Sequence, residues 1–534
     1  MRVLLLSAPY LPEYMRNARC DFVSLSGTQW YPILLGYCGA WLEGQGHEVK
    51  LVDAPAHRLS HEATRSIVRE FKPDLLVLYT GRLSEENDLA FAEPLVEELG
   101  CEAVIVGPYA SIDPEATLGR ARVISKLVVG EFEHPVAELA AGRPPAEIRN
   151  MVYKTGVPAA RPLSLSGRGQ GEGGTAPPPS PYPLPEREGD EGAHGGAARP
   201  LSLPGRGQGE GGTAPPPSPY PLPEREGGGV IHNRVRPYLT GEELDAIPFV
   251  SRFLARQVDI RRYRTPSELF PFMDILTGRG CCYGQCTFCL WVHTYVKGAT
   301  YNVRSIGNVM EELRWIEREL PQVRSVMVQD DTFSEARARE FSEAKLAAGI
   351  RLPWSCYARA NMSLEVLRLM KRAGCRNLHV GYESGDPEVL KRIKKGISVE
   401  RMTQFTEDAH RAGLRIHGDF AVGFPGETPQ SFEKTIAWAK RLDPYTAQFQ
   451  LMIPFPGTPY YAMMKERGWL NERGEPDMPQ FPNERIRAMA KHAYRRFYLS
   501  PRYAWRCLCH PYDRVVLRLG TMLRALPAMF WRRW

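Results

Sequence analysis

The chain has 534 residues, room for two or more domains with cores of their own, and its 43% hydrophobic and 24% charged content is that of a globular protein. It contains no run of 18 apolar residues, which excludes an evident spanning helix, and its start, MRVLLLSAPY, lacks a cleavage-site pattern and reads as a buried strand. The net charge of +7 is concentrated in the last fifty residues, where twelve Lys and Arg stand against Asp513 alone; the remainder is slightly acidic, which argues against a nucleic-acid partner.

Over residues 1–145, the strand candidates RVLLLS, EVKLV, DLLVLY, AVIVG and VISKLVV alternate with amphipathic stretches such as ILLGYCGAWLEGQG and ENDLAFAEPLVEELG. This alternation predicts a doubly wound, Rossmann-like parallel sheet, whose ligands sit at the carboxyl ends of strands. Those ends carry Ser7-Ala8-Pro9, Gly81, Gly107-Pro108 and Gly130-Glu131, and no GxGxxG follows the first strand.

Residues 146–264 read as a connector. Within it, a 31-residue block at 159–189 recurs at 197–227 with one difference, Ser166 against Pro204. Pro, Gly and charge dominate both copies, which cannot bury a core, so 159–227 reads as a disordered duplicated insertion without catalytic duty.

Regular alternation returns over 265–470. FMDILTG, RSVMVQ, LPWSCY, NLHVG, RIHGDFAVG and AQFQLMI are strand candidates separated by helical segments, and six β/α units predict a complete or partial parallel barrel with its site at the strand carboxyl ends. Directly after the first of these strands comes TGRGCCYGQCTFCLW, with four of the eleven cysteines in nine residues. Such clustering suits a reduced, cytoplasmic setting and a metal site better than a disulfide framework. Two ligand triplets are open, Cys281–Cys286–Cys289 and Cys282–Cys286–Cys289. A structural zinc takes four ligands, whereas three thiolates on a four-iron cluster leave one iron open. Cys507 to His510 is too tightly spaced for a second site and reads as structural.

C-x3-C-x-aromatic-C after the first barrel strand resembles the radical S-adenosylmethionine superfamily. The match is Cys282, Cys286 and Cys289, with Phe288 in the aromatic slot and Cys281 outside the spacing. The resemblance implies that these three cysteines ligate a [4Fe–4S] cluster whose open iron binds S-adenosylmethionine, and that an external flavodoxin- or ferredoxin-type donor reduces it. It also implies that Phe288 contacts the adenine and that Gln329, Asp330 and Asp331 in MVQDDTF lie near the methionine end. Arg359 in YARAN would pair with the carboxylate, Glu383 in GYESG would accept hydrogen bonds, and Gly423 in GFPGET would let the backbone approach the adenine. No residue is assigned as catalytic in its own right.

A doubly wound domain ahead of such a barrel resembles the cobalamin-binding subgroup, through YPILLGYCGAWLEGQGHEVKLVDA, KPDLLVLYTG and VVGEFE. By that resemblance cobalamin sits on Ser7, Pro9, Gly107, Pro108, Gly130 and Glu131. The D-x-H-x-x-G motif is absent: Asp53 and His57 have the wrong spacing, and His57 reads as a surface loop residue. Cys20, Cys38 and Cys101 lack the context of the additional cluster in methylthiotransferases. WYP (30–32), LVDAP (51–55) and TGRGC resemble hopanoid-associated radical enzymes, with the magnesium-protoporphyrin ester cyclase group sharing the architecture.

Residues 471–534 form a basic, amphipathic helical tail, suited to peripheral contact with an anionic inner-membrane surface or to packing on the barrel. The expected fold is thus α/β: a Rossmann-like cobalamin-binding domain, a partial (β/α)6 barrel and a helical tail. The expected activity is radical methyl transfer to an unactivated carbon of a small molecule or lipid. Rearrangement or cyclisation with the same cofactors, and a non-catalytic metal-binding scaffold, are the alternatives.

Overall fold

In the computed structural model, residues 1–12, 14–16, 21–23, 28–155 and 229–509 are described. The expectations for 159–227, Cys20 and 510–534 lie outside them. Among the described residues no helix is long and apolar enough to cross a membrane.

Seven strands form the first sheet: β1 (Arg2–Ser7), β2 (Glu48–Asp53), β3 (Leu75–Tyr79), β4 (Glu102–Val106), β5 (Lys126–Val128), β6 (Met151–Lys154) and β7 (Val230–His232). Their spatial order is β2-β1-β3-β4-β5-β6-β7, parallel through β5 and antiparallel for the last two. Leu4, Leu6, Leu76, Leu78 and Ile105 pack under the helices on one face. Val3, Leu5, Leu75, Val77 and Val104 pack on the other. Burial on both faces is why these strands read as unbroken apolar runs.

The second sheet is β8 (Phe272–Ile275), β9 (Ser325–Phe333), β10 (Trp354–Ala358), β11 (Cys375–Glu383), β12 (Arg415–Val422) and β13 (Thr446–Leu451), all parallel and in sequential order. The first and last strands do not pair with each other, so the barrel is partial. Helices cover its outer face, where Leu378, Val380, Ile416 and Phe420 are fully buried, while Gln329, Tyr357, His379 and His417 face inward.

One continuous core joins the two sheets. The helix Ile33–Gly44 lies close against the helix Val250–Gln257, because a Cβ on Gly39 would enter the Phe253 ring and one on Gly36 would stand 2.9 Å from Val250 Cγ2. Tyr31 stacks on Tyr263 with ring centroids 4.0 Å apart and donates to the Phe272 carbonyl at 2.7 Å. The Tyr37 hydroxyl donates to Leu276 O (3.0 Å) and accepts from Leu276 N (2.9 Å), and the Tyr263 hydroxyl donates to Asp53 at 3.0 Å. The strings WYP and LVDAP are therefore fasteners of this seam.

Candidate functional site

The cysteine loop leaves the end of β8 through a short ribbon, Gly278–Gly280 paired with Tyr301–Val303. Gly280 (φ 91°) and Gly284 (φ 66°) adopt the left-handed conformation, and a Cβ on either would fall on the backbone of residues 298–300. The far side of the loop rests on the segment after β11. Thr287 N donates to Ile393 O at 3.0 Å, and the Tyr283 hydroxyl donates to Lys394 O at 2.9 Å. Cys282 is exposed, whereas Cys281, Cys286 and Cys289 are partly covered. Burial pushes the Cys289 thiol up to about 12 and raises Cys286, against the pull of Lys395 and Arg359. A metal that displaces those protons supplies what the loop lacks for thiolate ligation.

The structure brings most of the predicted strand-end groups around this loop. The Arg359 guanidinium lies 3.9 Å over the Tyr283 ring and donates to Lys395 O at 2.9 Å. Glu383, itself at φ 63°, accepts from the buried Lys395 ammonium at 2.9 Å. Gly381 has no side chain to give, since a Cβ there would stand 2.5 Å from Glu383 Oε1. Gly423 (φ 104°) donates through its N–H to Glu427 at 2.6 Å, and its carbonyl accepts from the Tyr460 hydroxyl at 2.6 Å. Phe288 meets Phe424 edge-on at 5.3 Å, and Tyr460 N donates to Thr287 O at 3.1 Å, so the loop and the end of β12 form one wall. Burial lifts the Glu427 carboxyl to about 8.

The MVQDDTF stretch needs correction. Asp330 is fully buried and accepts from Thr277 N (2.6 Å), Thr277 Oγ1 (2.6 Å) and Tyr301 OH (2.8 Å). Asp331 accepts from Gly280 N at 2.8 Å. Both carboxylates fasten the root of the cysteine loop, and Asp330 has no oxygen left for a cofactor. Gln329 points inward and donates to Asp274 at 3.2 Å.

At the crest of the first sheet, Gly107 (φ 129°) leaves no room for a Cβ, which would stand 2.9 Å from Thr80 O. Ser111 Oγ donates to Gly107 O and accepts from Gly130 N, both at 2.9 Å, and so knits the turn holding Pro108 to the end of β5. Thr80 is 1% exposed and its hydroxyl has no hydrogen-bond partner among the described residues. The backbone at Ser7–Pro9 is held by Arg16, which donates to Ala8 O at 2.6 Å, and by Asn87, which donates to Pro9 O at 2.7 Å. Two expectations change here. The Glu131 carboxylate is spent on Leu239 N (2.8 Å) and Arg279 (3.0 Å). His57 is no loop residue: it ends a short helix, with Nδ1 donating to Asp53 O at 2.9 Å and Nε2 accepting from Asp259 N at 3.2 Å.

Arg279 is the residue whose importance the sequence hid. Buried beside Tyr37, it joins the end of β8 to Glu131 (3.0 Å) and Glu133 (2.6 Å) beyond β5. Arg82, beyond β3, donates to Arg473 O at 3.3 Å, past β13. The carboxyl edges of the two sheets therefore share one seam. Lys395, Tyr283 and an inward-facing group, His379, His417 and Asp419, were also not singled out, because each acquires meaning only through a neighbour on another strand.

Residues 275–439 match the model of the Radical SAM superfamily. An uncharacterised methyltransferase of Pyrococcus horikoshii is 26% identical over 494 residues, 89% of each chain. The bacteriochlorophyllide d C-12(1)-methyltransferase of Chlorobaculum tepidum is 31% identical over 211 residues, 38% of this chain and 44% of its own length. Among solved structures, the radical S-adenosylmethionine methyltransferase TsrM from Kitasatospora setae, with cobalamin and a [4Fe–4S] cluster bound, superposes with a TM-score of 0.59 at 18% identity, covering 87% of this chain and 78% of that one. The cobalamin-dependent S-adenosylmethionine radical enzyme OxsB gives 0.61 at 13% identity, covering 98% and 71%. At such identities the superposition speaks to the fold, which is shared across both sheets. The family match covers the stretch that carries the cysteine loop at the end of the first barrel strand, so residues 275–439 form a radical S-adenosylmethionine domain.

Proposed function

We propose that the protein is a cobalamin-dependent radical S-adenosylmethionine methyltransferase that modifies an unactivated carbon. The observation that carries this reading is the shared seam. A three-thiol loop at the carboxyl end of the barrel meets the carboxyl edge of a doubly wound sheet, where Gly107 packs tightly on the Thr80 backbone beside the unpartnered Thr80 hydroxyl. When bound, the cluster, S-adenosylmethionine and cobalamin supply the reducing electron, the hydrogen-abstracting radical and the methyl carrier, while the protein orients them and excludes water.

Cys282, Cys286 and Cys289 would hold the cluster. Arg359 and the Glu383–Lys395 pair present fixed charges of both signs for the carboxylate and ammonium of S-adenosylmethionine, with Phe288 and the Gly423 backbone flanking its adenine. Ser7–Pro9, Gly107, Pro108 and Gly130 would carry the corrin, without a histidine on cobalt from the pinned His57. The residue ranges 1–145, 146–264, 265–470 and 471–534 serve as first domain, connector, barrel and tail.

Relatives named as methyltransferases favour transfer over rearrangement, and they include a hopanoid C-3 methylase of Methylococcus capsulatus, 28% identical over 207 residues. A flavodoxin- or ferredoxin-type donor would deliver electrons. The helix Pro501–Cys509 supports peripheral membrane contact in a cytoplasmic protein, since Trp505 and Leu508 stand exposed beside Arg502 and Arg506.

Anaerobic reconstitution tests the assignment. The wild-type chain should bind a four-iron cluster and one cobalamin, and the triple Cys282/Cys286/Cys289→Ala variant should keep cobalamin but lose the iron. Equal iron in both proteins would refute the ligand set, and a wild-type chain without cobalamin would refute the two-cofactor reading.

A further inference from the structure

We infer that His379, His417 and Asp419 form a divalent transition-metal site inside the barrel, separate in its ligands from the cysteine loop. His379 on β11 lies in register with His417 on β12, and Asp419 follows two residues later on the same inward face. Each offers one ligand atom, and the three atoms lie within 4.8 Å of one another. His379 is buried and the other two are half-buried.

The second observation concerns orientation. His417 Nδ1 sits 2.7 Å from Thr446 Oγ1, which turns Nε2 toward Asp419 Oδ1 at 3.3 Å. An imidazole with one nitrogen held by an orienting partner and the other aimed into a cluster of donors has the posture of a metal ligand. A third observation is Asn377, two residues before His379 on the same face. It is 1% exposed, and neither atom of its amide has a hydrogen-bond partner among the described residues. Buried amides are ordinarily satisfied, so Asn377 brings beside the cluster polar atoms that no described residue pairs.

A plain His417–Asp419 ion pair explains two of the three residues. That pair does not involve His379, whose ring centroid stands 4.8 Å from that of His417. Two imidazoles and one carboxylate are a donor set for zinc, iron, cobalt or manganese. Three protein ligands also leave positions for water or an oxygen donor of a bound molecule. The metal site is independent of the methyl-transfer reading.

The test is equilibrium dialysis of the full chain, with its iron–sulfur cluster reconstituted, against zinc ion after removal of adventitious metal, with zinc and iron counted by mass spectrometry. The wild-type protein should bind one zinc per chain beyond its cluster iron. Asp419→Asn and His379→Gln should each weaken that binding by about tenfold or more, at unchanged iron content and far-UV circular dichroism. If His379→Gln does not fold, Asp419→Asn decides alone. Zinc bound equally by the wild type and Asp419→Asn, or by neither, would overturn the site.

Discussion

The two parallel sheets of this protein treat their faces in opposite ways. In the first, β3 reads LLVLY and is buried throughout, because helices cover one face and the shared core covers the other. Nothing can bind on those faces, and chemistry is left to the strand ends. In the second, helices cover only the outside. β12 reads RIHGDFAV, with Ile416, Phe420 and Val422 fully buried outside and His417 and Asp419 turned in. A sheet packed on both faces makes a platform, whereas one curled with a covered outside makes a vessel. Arg279 is where platform and vessel join.

The comparison can be broken first at that join. Arg279→Met leaves Glu131 and Glu133 buried without their partner and should cost about 3–5 kcal/mol, read as a drop in denaturation midpoint. A loss below 1 kcal/mol would mean that the seam does not depend on this residue. Next in size, Gly284→Ala places a Cβ against the Gly298 and Ala299 backbone in a left-handed conformation. It should cost about 1–3 kcal/mol and lower the iron retained on reconstitution, whereas the same change at Gly349, where a Cβ meets nothing, should spare the iron.

The polar inside of the second sheet predicts a pH slope. Burial pushes Glu268, which accepts from Ser325 (3.1 Å) and Ser355 (3.0 Å), up to about 7, and Glu427 up to about 8. Folded values above the unfolded carboxylate value of about 4.3 mean that the native state holds the extra protons. Stability is then full below the unfolded value and declines as pH rises through about 7 and 8. Glu268→Gln should flatten part of that decline in urea titrations between pH 5 and 8. The smallest effect is expected at the first sheet's edge. There β6 and β7 pair as a hairpin, with Lys154 opposite Val230 and Thr155 N bonded to Gly229 O at 2.5 Å, so the chain enters and leaves the insertion at one point. Deleting 159–227 should leave the melting temperature and cofactor content close to wild type; loss of either would give the insertion a role.

Much of this was legible in the sequence, and the exceptions have physical causes. The apolar runs found the strands of both sheets, and the cysteine spacing found the loop. VISKLVV predicts one strand, yet only Lys126–Val128 pairs. Upstream, the buried Glu93 carboxylate takes the N–H groups of Arg122 (2.6 Å) and Val123 (2.7 Å). β6 and β7 escaped notice because each is very short and the insertion parts them. In MVQDDTF three consecutive polar residues cannot all face inward on a strand, and alternation sends Asp330 the other way. His379 and His417 sat in plain view within NLHVG and RIHGDFAVG, but register, which no single sequence displays, is what brings them together.

The most direct test of the central claim is an anaerobic assay of the reconstituted full chain with cobalamin, reductant and S-adenosylmethionine. 5′-Deoxyadenosine and S-adenosylhomocysteine would be quantified beside a Cys286→Ala control. Both products from the wild type, and neither from the variant, is the predicted result. Equal product from the two proteins, or none from a wild-type chain that carries cluster and cobalamin and is offered extracts containing its substrate, would contradict it.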